Sequence, residues 1–247
     1  MEESVTRNAI EELLRAIESR DIRMVAAALH PDASWQNVPH PPIVGREAVL
    51  EFLAGILCWS NRVQWDVLSA VIDGDTGWYE RVDRFWLADQ EYAVACNGII
   101  TVDTVAQTVL SIRDYVDLGE WRDRVSPAIK FFQSQPAAVV VERHLCAVEQ
   151  REPVSMAADY GMHAVLERPE GRYNGWCEIA DYFDSVPDCL KGRELMFDPI
   201  ETEHGSSVSV SWKIRDRGKY SVTGVDYYEV VSGRIMRQKT TFRGVGV

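Results

Sequence analysis

Two short segments hold the residue types that acid–base chemistry needs. In Tyr79-Glu80-Arg81-Val82-Asp83 an arginine and an aspartate stand two residues apart, and in Ile112-Arg113-Asp114-Tyr115-Val116-Asp117 a second acidic cluster lies among apolar neighbours. On an extended strand alternate side chains share a face, so Arg81 and Asp83 point the same way, about 7 Å apart along the chain. If the strand of Asp114 pairs nearby, its carboxylate reaches the same guanidinium and the three form an Asp–Arg–Asp bridge. Two carboxylates in such a bridge can hold opposite protonation states: apolar burial and mutual repulsion raise one pKa, while the arginine keeps the other ionised. One site then offers an acid and a base. The competing reading is a surface ion pair worth about 0–1 kcal/mol. Spacing alone favours that reading, because periodicity does not establish burial.

The elements that must position these residues follow from the hydrophobic period. Residues 4–19 carry Ala9, Ile10, Leu13, Leu14 and Ile17 at helical spacing. A second short helix spans about Ile22 to Leu29 and ends near Pro31. Ser34 to Val38 reads as a short strand or loop, and Pro39, Pro41 and Pro42 then forbid regular structure. Gly45 precedes the amphipathic helix REAVLEFLAGIL. From there the period falls to two, which predicts four successive strands at Val63–Ile72, Gly77–Leu87, Tyr92–Val102 and Ala106–Val116. A helical stretch from Leu118 to about Phe132 follows.

The same order then recurs. Pro136–Glu149 reads as a first helix, and Gly175-Trp176-Cys177-Glu178-Ile179-Ala180 repeats the shape of Gly45-Arg46-Glu47-Ala48-Val49-Leu50. Strand-like segments follow at Leu195–Glu203, Ser207–Ile214, Tyr220–Val231 and Arg234–Phe242, and Gly224 falls where Gly98 falls in the first half. Helices followed by an antiparallel run, twice over, predict an α+β chain of two tandem domains, 1–133 and 134–247.

The chain of 247 residues carries a formal net charge of −12, which argues against nucleic acid and anionic membrane as partners. No apolar run is long enough to span a bilayer, and the charged N-terminal segment lacks the apolar core of a signal peptide. The five cysteines occur without a CxxC pair and read as free, mostly buried thiols of a cytoplasmic protein. His30, His40, His144, His163 and His204 form neither HxH nor HExxH, so they read as surface or polar-contact residues and no metal is expected.

Four segments in order carry a resemblance: Trp35-Gln36-Asn37-Val38-Pro39-His40-Pro41-Pro42, Gly45-Arg46-Glu47-Ala48-Val49, Glu80-Arg81-Val82-Asp83 and Arg113-Asp114-Tyr115-Val116-Asp117-Leu118. Residues 5–125 thereby resemble the limonene-1,2-epoxide hydrolase family. That resemblance implies the nuclear transport factor 2-like (NTF2-like, SnoaL-like) fold, a strongly curved mixed sheet with about three helices around a pocket in each cone-shaped domain. It implies that Asp114 is the general base acting on water, Asp83 the general acid protonating the epoxide oxygen, and Arg81 the cation holding both. Asn37 matches the amide that fixes the water. No covalent intermediate, metal or other cofactor is implied. The family's tyrosine two residues before that asparagine is here Trp35, whose ring nitrogen cannot accept a hydrogen bond. Trp35, Trp78, Phe85 and Ile112 are the candidate substrate contacts.

The expected activity is hydrolysis of a small or medium apolar epoxide to a vicinal diol. Two alternatives stay open: an epoxide-opening cyclase in which a substrate hydroxyl replaces water, and a non-catalytic small-molecule-binding protein, since fold alone does not fix function. In the second half Thr240 stands where Asp114 stands and Ser- and Val-rich VSVSWKI replaces the Arg81 segment. The bridge is absent there. Asp159 and His163 are expected near the mouth of the second pocket, in a copy whose role reads as structural. The two domains are expected to pack as an intrachain pseudo-dimer.

Overall fold

The computed structural model describes residues 2–202, 205–216 and 218–244. It divides into two compact units, residues 1–130 and 131–247.

In the first unit α1 (Glu2–Ser19) and α2 (Ile22–Ala28) precede β1 (Leu29–Asn37), β2 (Ile43–Val44) and α3 (Arg46–Leu57). Ile10, Leu13 and Ile17 of α1 are buried, as their spacing requires, and Asp21 caps α2 by accepting from the Arg23 amide at 2.9 Å. The strands β3 (Ser60–Asp73), β4 (Thr76–Leu87), β5 (Gln90–Asp103) and β6 (Thr108–Val116) complete the sheet, in the order β2-β1-β6-β5-β4-β3. The four predicted strands are all present and their pairings are antiparallel. The pairing of β1 with β6 is parallel and sets Asn37 opposite Asp114. Ser34–Asn37 is thus the end of a nine-residue strand, with Val38 in the turn beyond it, and the helix before it stops at Ala28 rather than near Pro31.

The expected Leu118–Phe132 helix is a composite of α4 (Leu118–Glu120), one π-helical turn at Trp121–Val125 and α5 (Ser126–Gln133). Asp117 starts it by accepting from the Gly119 amide at 2.9 Å.

The second unit runs α6 (Ala137–Gln150), α7 (Pro153–Ala158), β7 (Tyr160–Arg168), β8 (Gly171–Asn174), α8 (Gly175–Asp184) and α9 (Val186–Cys189). Its remaining strands are β9 (Arg193–Phe197), β10 (Glu201–Thr202), β11 (Ser207–Asp216), β12 (Lys219–Val231) and β13 (Arg234–Gly244). The expected Leu195–Glu203 strand is two short strands, and Glu203 lies outside the described residues. The sheet order is β10-β11-β12-β13-β7-β8, with β9 also on β11, and β13 again pairs its neighbour β7 in parallel. No helix among the described residues is long and apolar enough to cross a membrane. The cysteines are free, but only Cys58 and Cys96 are buried, while Cys146 and Cys189 are exposed.

Candidate active site

Strand alternation decides the face of each residue on β4. Tyr79, Arg81, Asp83, Phe85 and Leu87 point inward and are buried, while Trp78 and Glu80 point outward. Arg81 therefore lies in the interior with its side chain fully enclosed. Its Nε donates to Asp83 Oδ1 at 2.7 Å and its Nη2 to Asp83 Oδ2 at 3.3 Å, while Nη2 also donates to Asp114 Oδ2 at 2.8 Å. The surface-pair reading is thereby excluded: both carboxylates are buried with the guanidinium between them.

Two features outside the motif hold the arginine. The Trp65 ring lies under its guanidinium at 4.5 Å, a cation–π contact from β3, where Trp65 pairs with Asp83. On the opposite side Gly98 of β5 leaves the space the bridge needs. A Cβ there would meet Arg81 Nη1 and would lie 2.8 Å from Asp114 Oδ1.

The electrostatics single out Asp83. Burial pushes the Asp83 carboxyl up to about 6, against the pull of Arg81 and with the help of the Asp114 charge. Asp114 Oδ1 has no hydrogen-bond partner, so one bare carboxylate oxygen remains beside the bridge. Burial opposes the Arg81 charge, yet Asp114 and Asp83 together raise its pKa above the ordinary value, and it stays a cation. Burial, followed by the Asp114 charge, pushes the Cys96 thiol up, which keeps it protonated and inert.

A cavity of about 40 Å³ opens on the bridge, lined by Asp83 and Asp114 together with Trp35, Asn37, Phe85 and Trp121. It has room for water beside polar groups that can bind it. The expected contacts Trp35 and Phe85 are brought to this cavity, as is Asn37, the amide expected to fix the water. Trp78 is not: it is 42% exposed on the outer face, since a side chain one residue off the Arg81 phase faces the other way. Ile112 shares the inward face with Asp114 but is core, paired with Ile100 rather than set at the cavity. Trp65, Phe52 and Trp121 were missed. Trp35 packs against Phe52 and Trp65 with ring centroids 6.2 Å apart in each pair, and the π-helical turn presents Trp121 to Phe85 at 6.2 Å. Register could have flagged Trp65 opposite Asp83, but two irregularities along β3 block that count from sequence.

The second unit departs from its sequence reading. Asp159 is buried and paired with Arg143 at 2.6 Å, away from the cavity there, and His163 is exposed. His144 fits the polar-contact reading: it is buried with Nδ1 3.2 Å from the Met156 carbonyl, and burial lowers its pKa to about 4. No group of three or more metal-ligating side chains occurs among the described residues, and His204 lies outside them. The strand register also moves one expected equivalence. Gly98 pairs with Asp114, whereas Thr240 pairs with Asp226, so Asp226 and not Gly224 stands at the Gly98 position. By the same count Trp212 replaces Arg81, because Val210 pairs with Asp226 as Tyr79 pairs with Gly98.

Residues 10–104 match the model of the SnoaL-like domain. No curated protein matches the chain. Among solved structures, the chain is similar to an LEH-like epoxide hydrolase of M. tuberculosis, with 24% identity over 47% of this chain and 86% of that one and a TM-score of 0.42. It is similar to PrhC from Penicillium brasilianum, with 12% identity, 53% and 95% coverage and a TM-score of 0.47. Bal32a from a soil-derived mobile gene cassette gives 16%, 49% and 96%, and 0.43. Two mixed sheets, each with its own helices, make the protein two tandem α+β units, the first of which carries the SnoaL-like match.

Proposed function

We propose that the first unit opens an epoxide, with water as the nucleophile and a vicinal diol as the product. A SnoaL-like, NTF2-like fold supports an enzyme or a small-molecule-binding role. The single observation that favours this chemistry is the buried Asp83–Arg81–Asp114 bridge beside a cavity that can hold water. An epoxide is strained, but its alkoxide is a poor leaving group and water is a poor nucleophile. Both need proton transfer, each worth roughly 10²–10⁴-fold.

In the proposed step the Asp114 Oδ1 carboxylate takes a proton from water as the water oxygen forms a bond to one epoxide carbon. The carbon–oxygen bond on that carbon breaks, its electron pair goes to the ring oxygen, and Asp83 delivers its proton there. Asp83 leaves the step ionised and Asp114 protonated, and proton exchange with solvent restores the pair. Arg81 keeps one positive charge between them throughout. Asn37, in the wall of the cavity, holds the water in this reading.

A second reading has its own observation. Trp35 Nε1 is buried without a partner, so this position offers no acceptor to a water hydrogen. A hydroxyl of the substrate itself could then attack and close a cyclic ether, with Asp114 and Asp83 in the same roles. Turnover of terpene and polyketide epoxides in heavy-oxygen water tests both readings. The hydrolysis reading expects one labelled oxygen in the diol, and an unlabelled ring ether would replace it by the cyclisation reading.

A further inference from the structure

A cavity of about 250 Å³ lies in the second unit, where the Asp–Arg–Asp bridge is absent. Leu145, Val148, Phe183, Leu190 and Phe197 give it mostly apolar walls. An apolar cavity of about 150 Å³ accommodates benzene, so this one suits a ligand of roughly ten non-hydrogen atoms.

Most of its polar groups satisfy one another. Asp226 accepts from the Tyr228 hydroxyl at 3.2 Å, and Trp212 and Thr240 also direct hydrogen bonds to it. Gln238 accepts from Tyr160 and donates to Tyr228, and His144 Nδ1 lies 3.2 Å from the Met156 carbonyl. Glu170 accepts from Arg168 Nε at 2.5 Å and, at 45% exposure, also reaches solvent.

The groups left over are donors. The Arg168 side chain is only 10% exposed, and its Nη1 and Nη2 have no hydrogen-bond partner among the described residues. The guanidinium lies 4.9 Å from the centre of the Tyr182 ring and 5.6 Å from that of Phe242, contacts that hold its plane. Burial opposes its charge, yet Tyr182 and Glu170 raise its pKa above the ordinary value, and it stays a cation. Tyr173 and Tyr182 line the same cavity with ring centroids 4.9 Å apart, and their hydroxyls also lack a partner among the described residues. Burial raises the Tyr182 pKa, so that hydroxyl keeps its proton. A ligand group that meets these donors must accept hydrogen bonds, and the open edge of a guanidinium matches the two oxygens of a carboxylate. Glu170 on Nε does not fill that edge. In the first unit Arg81 holds two carboxylates at once, Asp83 through Nε and Asp114 through Nη2. Burial also raises the Asp226 pKa, against the pull of its donors and of Arg168, which weakens its repulsion of a second acid.

We infer that the second unit binds a small, mainly apolar carboxylic acid, whose carboxylate lies against Arg168 Nη1 and Nη2 with the Tyr173 and Tyr182 hydroxyls beside it. The site belongs to the second unit alone and holds whether or not the first unit opens epoxides.

Calorimetric titration of the full chain with para-toluate, and with para-toluamide as the match of equal size lacking the charge, tests the inference. The wild type is expected to bind one para-toluate, at least about tenfold tighter than the amide. Arg168→Met is expected to erase that preference. Arg168→Lys keeps the charge but loses the planar fork, and is expected to weaken para-toluate binding several-fold while leaving the amide unchanged. Leu145→Trp, which fills the cavity, is expected to abolish binding of both. Circular dichroism establishes that each variant folds. Equal affinity of the wild type for the two probes, or no binding of para-toluate, would overturn the assignment. So would wild-type affinity for para-toluate in any of the three variants when folded.

Discussion

At the scale of residues, the first unit spends a buried cation to hold two buried acids, and each of the three depends on the others. Removing one partner of a buried pair leaves an uncompensated charge, at a cost of about 3–5 kcal/mol. Arg81→Met is therefore expected to lower stability by that amount, since it strands both Asp83 and Asp114, and urea denaturation would measure it. Asp83→Asn keeps one oxygen that can accept from Arg81, so it should cost less stability than Arg81→Met while lowering epoxide turnover at least about 10²-fold. The pH dependence has a definite sign. The general acid must carry its proton, and burial raises the Asp83 pKa to about 6. On that limb kcat/KM is expected to be flat at low pH and to fall as pH rises through about 6. A profile that rises over the same interval would reverse the roles given to the two carboxylates.

The residue types of the bridge were legible in the sequence, because a two-residue spacing on a strand puts Arg81 and Asp83 on one face. Their burial was not, since a polar triad on a strand looks the same whether it faces solvent or a core. Trp78 was misjudged for a related reason. It is apolar and two residues from Glu80, but it shares that residue's outward phase, and only the observed pleat shows which phase is inside.

At the scale of elements, the site exists because five strands and a helical turn converge on the cavity beside Arg81. β4 supplies Arg81 and Asp83, β6 supplies Asp114, β3 lays Trp65 under the guanidinium and β1 brings Asn37 opposite Asp114. β5 contributes by lacking a side chain. Gly98→Ala is expected to push the Arg81 guanidinium out of place, lowering both the melting temperature and turnover. Gly55 provides the contrast. It lies in α3 with nothing near its missing Cβ, so Gly55→Ala should raise stability by about 0.5–1 kcal/mol. Equal melting shifts for the two substitutions would show that the close approach at Gly98 carries no weight.

Strand positions of β3 to β6 followed from their period and their turn residues. The parallel pairing of β1 with β6 did not, because nothing local in Leu29–Asn37 encodes a partner about eighty residues away. The π-helical turn at Trp121–Val125 also leaves no periodic trace, and it is what sets Trp121 at the cavity.

At the scale of the whole molecule, the two units share an order of helices and strands but hold cavities of different character: one of about 40 Å³ beside an ion triad and one of about 250 Å³ with mostly apolar walls. The repeat was visible in the order of helices and strands, but the equivalence drawn through Gly224 was displaced by two residues, one strand period, so Asp226 went unnoticed as the new occupant of the Gly98 position. We propose 1–133 and 134–247 as the two domains. Limited proteolysis is expected to cut first near Ser134 and Gln135, which follow the last helical residue of α5, and to leave two resistant fragments. Early cuts spread through β3 to β6 would contradict that division.

The account rests on the buried bridge acting on an epoxide, and a single comparison reaches it most directly: consumption of a panel of apolar epoxides by the wild type and by Asp114→Asn, with folding of both confirmed by circular dichroism. The prediction is turnover by the wild type on at least one epoxide, and a loss of at least about 10²-fold in the variant. Consumption at equal rates by the two folded proteins, or no consumption above the uncatalysed rate by the wild type, would contradict it.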